Sequence, residues 1–95
     1  MSTQIVGVDE KNLLPYFAPM SPEQSRAARA WLDWSQEELA AKASVSQSTV
    51  RDYEKGRRVP IANNLTAMRV ALEGAGIAFV DGATPGITYK KGKRR

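Results

Sequence analysis

The chain contains no cysteine and no histidine. Without cysteine it can form neither a disulfide nor a thiolate metal site, and a reducing cytoplasm is the expected setting. Without histidine it lacks the commonest general base and a common zinc ligand. Ser35 and Ser46 have no imidazole to activate them and are not read as nucleophiles. Carboxylates alone could hold a hard metal ion, but no cluster of them suggests one. No cofactor, no metal and no enzymatic activity are therefore expected. No apolar run approaches the roughly 20 residues a membrane helix requires. The start of the chain shows no basic region followed by an apolar run, so no secretory leader is expected.

What remains fits one small domain. Ninety-five residues leave room for a single core, and a hydrophobic share of 42% is enough to fill it. The net charge of +4 is unevenly placed. Residues 22–60 carry seven basic and six acidic side chains, while the last six residues, KKGKRR, carry five basic ones. The body is nearly neutral and the tail is basic, so net charge alone says little about partners.

The strongest local signals are serine caps. Ser21, Ser35 and Ser46 each precede a helical apolar pattern, and Gln24 and Glu38 complete capping boxes for the first two. Pro22 suits a first helical position. The spacing predicts helices over 22–32, 36–43, 47–54 and 62–75. Their apolar faces are Ala27, Ala28, Trp31 and Leu32; then Leu39, Ala40 and Ala43; then Val50 and Tyr53; then Leu65, Met68, Leu72 and Ala75. Trp31, Trp34 and Tyr53 are read as core aromatics. Glu38 and Lys42 stand four apart in the favourable order for an ion pair. Ser44 and Val45 make a tight turn, Gly56 ends the third helix and Gly76 the fourth.

The flanks read differently. Residues 1–20 form an arm with an apolar cluster at Leu13, Leu14, Tyr16 and Phe17; it packs on the body or meets another chain. Residues 77–89 suggest two short strands, IAFV and ITY, joined by a loop. Such a pair is marginal alone, so it must lie on the helices or pair with a second subunit. Residues 90–95 form the basic tail.

The chain thus divides into an arm (1–20), a helical domain (21–76), a strand pair with a candidate dimerisation role (77–89) and a tail (90–95). The centre is WSQEELAAKASVSQSTVRDYEKG, where two short capped helices meet at a tight turn. The second exposes Gln47, Ser48, Arg51 and Asp52. A short helix presenting hydrogen-bonding side chains, braced by another, suits base reading in a major groove.

SQEELA, VSQSTV, YEKGRRVP and LTAMRVALEGAGIAF resemble, in order and spacing, the helix-turn-helix domain of lambda repressor/Cro-type regulators, the XRE family. The resemblance covers residues 26–80. It implies a mainly α fold: a lambda repressor-like bundle of four main helices with a short C-terminal strand pair and an N-terminal arm.

It also implies roles. Gln47 corresponds to a residue that reads an adenine edge, and Gln36 to one that contacts a phosphate and braces the recognition helix; the two amides can hydrogen-bond to each other. Ser48 is placed to reach a base or a phosphate, and Thr49 a thymine methyl or the backbone. Arg51 suits a bidentate pair with guanine; Asp52 either accepts from cytosine or orients Arg51. Ser46, Lys55, Arg57 and Arg58 fall where family members grip phosphates, contacts that fix register without reading sequence. Arg29 and Glu54 match a structural pair joining the first helix to the end of the third.

Ser44 departs from the pattern, which usually has glycine there. A left-handed serine costs roughly 1–2 kcal/mol. The implied partner is double-stranded DNA, bound by a homodimer acting as a repressor on an inverted repeat. The other reading is an antitoxin-like interaction module that binds DNA and holds a protein partner through residues 1–20.

Overall fold

The computed structural model describes residues 20–90. The arm, apart from Met20, and the tail beyond Lys90 lie outside these residues. Four helices and two strands follow in order: α1 (Pro22–Leu32), α2 (Gln36–Ala43), α3 (Gln47–Glu54), α4 (Ala62–Gly74), β1 (Ile77–Val80) and β2 (Gly86–Tyr89). The fold is mainly α, with the expected strand pair at its C-terminal end.

The caps set the helix starts. Ser21 Oγ accepts from the Gln24 amide (3.1 Å), and Gln24 Oε1 accepts from the Ser21 amide (2.8 Å). Ser35 and Glu38 repeat the exchange at 3.0 and 2.9 Å. Each box satisfies two donors that a helix start would otherwise strand. Glu38 is thereby committed to its cap, and Lys42 lies over the Trp34 ring, 5.0 Å from its centroid. The expected Glu38–Lys42 ion pair does not form.

Three helices end the same way. Their last turns close through Trp34 N–H to Arg29 O (2.9 Å), Val45 N–H to Ala40 O (3.0 Å) and Arg57 N–H to Asp52 O (2.9 Å). This six-to-one closure requires a left-handed residue just before its donor. Those residues are Asp33 (φ 61°), Ser44 (φ 59°) and Gly56 (φ 75°). Only Gly56 relieves the steric cost of that conformation. α4 stops one residue earlier than its spacing predicts, and Gly76 (φ 109°) turns the chain into β1.

α2 sits at the centre, packed against both α3 and α4. Leu39, Ala40 and Ala43 of α2 meet Val50 and Tyr53 of α3 and Leu65, Met68 and Leu72 of α4 in one core, with Ala28 and Ile77. Full burial of a side chain such as Leu39 contributes about 1.5–3 kcal/mol.

α1 departs from its predicted face. Ala27 is exposed and Trp31 is 62% exposed, whereas Gln24, Ser25 and Ala28 are buried. The polar pair is turned inward because each side chain finds hydrogen-bond partners there, Ser25 the buried Glu54 and Gln24 two strand carbonyls. Trp31 lies instead at the surface with its ring 5.8 Å from that of Tyr89. Trp34 is half-buried against the core, and Tyr53 is buried as expected.

β1 and β2 pair antiparallel, with Ile77 opposite Tyr89 and Phe79 opposite Ile87. These four side chains share the face that packs on the core, while Val80 and Thr88 are exposed. Gln24 ties the pair to α1: its Nε2 donates to Val80 O and Gly86 O, both at 2.9 Å. One amide therefore caps a helix and holds a hairpin. Gly76 is obligatory where α4 meets this sheet, since a Cβ there would stand 2.9 Å from the Tyr89 ring.

Candidate nucleic-acid interface

α3 has only two turns, and an isolated helix of eight residues does not persist in water. Its inner side is held by Val50 and Tyr53, and its C-terminal end by a polar anchor at Glu54. Glu54 is 2% exposed. Its carboxylate accepts from Ser25 Oγ (2.6 Å), Arg29 Nε (2.9 and 3.2 Å), Arg29 Nη2 (2.6 Å) and Gln36 Nε2 (3.1 Å). Burial pushes this carboxyl up, but the bonds from Arg29, Ser25 and Gln36, with the Arg29 charge, outweigh it and hold the group below its ordinary value.

The same anchor reaches the neighbouring backbone. Arg29 Nη1 donates to Trp34 O (3.0 Å), and Arg26 Nη1 donates to Glu54 O. The end of α3, the body of α1 and the start of α2 are thus joined at one point. Burying a carboxylate at a helix C-terminus opposes the helix dipole, so a full set of donors is needed there.

Tyr53 makes a second tie, donating its hydroxyl to Met20 O. Its phenol is pushed up to about 12, first by burial and then by the charges of Glu23 and Glu54.

The outer side of α3 is open. Gln47, Ser48 and Arg51 are exposed, and Thr49 and Asp52 are half-buried beside them. Ser46 caps the helix, its Oγ accepting from the Thr49 amide at 3.1 Å. Lys55, Arg57 and Arg58 are exposed in the segment that follows. Asp52 Oδ1 lies 3.7 Å from Arg51 Nε and 3.9 Å from Arg57 Nη1. It therefore stands between a cation of the helix and a cation of the loop. Such loose, solvent-facing pairs contribute little stability and give up their cations readily.

Gln36 is the predicted residue whose surroundings differ most from expectation. Its amide is bound to Glu54, and no hydrogen bond joins it to Gln47. Gln47, at the first position of α3, is exposed, and its amide has no hydrogen-bond partner among the described residues. The structure brings Arg29, Gln36 and Glu54 together, and gathers Ser46, Ser48 and Thr49 separately at the start of α3.

Three residues of the support escaped sequence reasoning: Ser25, Arg26 and the hairpin contacts of Gln24. Ser25 and Arg29 stand four apart on one face of α1, a spacing that signals a shared partner. Nothing local signals the distant strand carbonyls that Gln24 binds. Among the described residues, no helix is long and apolar enough to cross a membrane.

A family model described as helix-turn-helix matches residues 26–73, which run from α1 through nearly all of α4. No curated protein matches the chain.

Proposed function

Because this chain belongs to the helix-turn-helix family of lambda repressor/Cro-type DNA-binding regulators, which is not an enzyme family, we propose that it is a cytoplasmic dimeric repressor. It reads an inverted-repeat operator through α3. One observation carries this reading above the rest: the polar side of α3, with Gln47, Ser48 and Arg51, is left open while its other side and its end are clamped by α1 and α2. An outward-facing helix of two turns, held from behind, fits a major groove.

The roles divide by chemistry. The Gln47 amide can accept from adenine N6 and donate to N7, and the Arg51 guanidinium can donate to guanine O6 and N7. Ser48, Thr49 and Asp52 border these readers. Lys55, Arg57 and Arg58 grip phosphates, and Ser46 and Gln36 approach the backbone at the helix starts. α3 alone reads too few base pairs for useful discrimination. A two-fold dimer spans half-sites about 34 Å apart and doubles the readout. Among the described residues the sheet has two strands only, so each has an outer edge on which a strand of a second copy can add.

Footprinting on DNA upstream of the chain's own coding region, at several salt concentrations, tests the proposal. A protected symmetric site is expected. Equal affinity for unrelated DNA overturns specific recognition. Gln47→Ala or Arg51→Ala should cost about 1–3 kcal/mol and relax preference at particular base pairs, whereas Arg57→Ala should weaken all sequences alike and lower the salt slope. Identical behaviour of the two classes refutes the division of roles.

A further inference from the structure

Arg51, Lys55, Arg57 and Arg58 are exposed on and just after α3. Of the two acids in this stretch, Glu54 is buried in the anchor, and half-buried Asp52 is left among the cations. Asp52 Oδ1 is 3.7 Å from Arg51 Nε and 3.9 Å from Arg57 Nη1. Neither distance is that of a hydrogen bond. The link is one of charge, and its sign does not depend on where any hydrogen lies. The backbone keeps the partners together as well. The Arg57 N–H donates to Asp52 O at 2.9 Å, so the closure of α3 returns the loop cation to the carboxylate.

Helix stability does not account for this acid. Asp52 lies in the last turn of α3, where a carboxylate opposes the helix dipole. Ion pairs so open contribute little to folding. What the carboxylate changes is the charge that this surface offers to DNA. A phosphate must draw each arginine away from Asp52 before it gains that cation. A guanine need not. Arg51 faces Asp52 with Nε, and its Nη1 and Nη2 have no hydrogen bond among the described residues. Those two groups can meet guanine O6 and N7 with Nε still beside Asp52. A phosphate stands at the rim of the groove rather than its floor, so an arginine on α3 meets one by swinging away from the helix.

Resting on the reading of α3 as the base-reading helix, we propose that Asp52 discriminates between DNA sequences without touching a base, by competing with phosphates for Arg51 and Arg57. On a matching site Arg51 keeps its carboxylate while it pairs with guanine. On any other sequence it has only phosphates to meet, and Asp52 holds it back. The residue thus lowers affinity for DNA at large more than affinity for the operator. This differs from accepting from cytosine or orienting Arg51, because it acts where no particular base is present.

Binding is measured to a duplex carrying the protected site and to one lacking it, over a range of salt, for wild type, Asp52→Asn, Arg57→Ala and the double variant. Thermal unfolding of each is recorded alongside. Asn keeps the shape of Asp and removes its charge. One negative charge fewer should steepen the fall of log K with log salt by about 0.9 on the duplex lacking the site. With affinities equal at about 1 M salt, that slope becomes a gain of about eightfold at about 0.1 M. The gain on the operator should be smaller, so the ratio of the two affinities falls. Arg57→Ala should cost about two- to fivefold more in the Asp52→Asn background than alone, because the arginine is then released to phosphate. An unchanged affinity for the duplex lacking the site, an equal gain on both duplexes, or strictly additive effects of the two substitutions overturns the inference. A lower melting temperature for Asp52→Asn marks a structural role and overturns it too. If wild type binds neither duplex, the proposed function falls and this inference with it. If wild type separates the two duplexes and Asp52→Asn separates them equally well, this inference alone has failed.

Discussion

Replacing Glu54 by glutamine removes the charge on which α3 is anchored. The substitution keeps the shape of the side chain, yet its amide directs an N–H₂ toward donors already in place on Ser25, Arg29 and Gln36. Breaking a buried pair from one side costs about 3–5 kcal/mol. The Arg29 side chain keeps 17% exposure against 1% for Glu54, so water relieves part of the loss. The low end, about 3 kcal/mol, is expected.

A domain of this size has roughly 4–10 kcal/mol of stability in all, so the effect is large. In urea unfolding, a slope of about 1–1.5 kcal/mol/M turns it into a midpoint shift of about 2–3 M. The acid limb gives an independent check. The folded carboxyl lies below its ordinary value near 4.5. Its contribution is therefore complete above that value and is lost as pH falls through the lower, folded value. Glutamine has no such contribution, so the gap between wild type and Glu54→Gln should narrow as the medium is acidified below pH 4.5. A midpoint shift below about 0.5 M, or a gap that stays constant down to the acid transition, refutes the assignment of Glu54 as the anchor.

Ser44→Gly should raise stability by about 0.5–1 kcal/mol, because relief of the left-handed strain exceeds the added freedom of the unfolded chain; a lower melting temperature refutes this. The raised Tyr53 phenol gives stability that is complete below pH 10 and declines as pH rises toward about 12. Tyr53→Phe should abolish that alkaline slope, as followed by helical circular dichroism. Gln24→Ala leaves the Val80 and Gly86 carbonyls without their side-chain donor and should cost about 1–3 kcal/mol, with amide exchange accelerated in residues 77–89 before the helices.

The helix starts were legible because each depends on residues within one turn: Ser21 with Gln24, Ser35 with Glu38, and Ser46 with the Thr49 amide. The cores of α2, α3 and α4 were legible because apolar spacing is also local. The face of α1 was not. Trp31 looks like core by spacing, and Gln24 and Ser25 look like surface. Their placement is decided by Val80, Gly86 and Glu54, which lie 56, 62 and 29 residues away. The partner through which Gln36 holds α3 was hidden for the same reason, since Glu54 lies 18 residues further along the chain. The outward residues of α3 were legible by exclusion, since no apolar spacing claimed them. The gathering of three hydroxyls at its start was not, because it exists only once distances among three side chains are known.

The long reach of Gln24 also imposes an order in time. Contacts of α2 with α3 and α4 close short loops, whereas the Gln24 amide must find carbonyls 56 and 62 residues downstream. Longer loops close at greater entropic cost, and contacts of high sequence separation slow folding. The four helices are thus expected to assemble first and the hairpin to settle onto α1 last. During synthesis, the whole helix-turn-helix unit is made before Val80 exists for Gln24 to bind. A nascent chain can therefore hold a formed reading helix while its final strand pair is still in the ribosome.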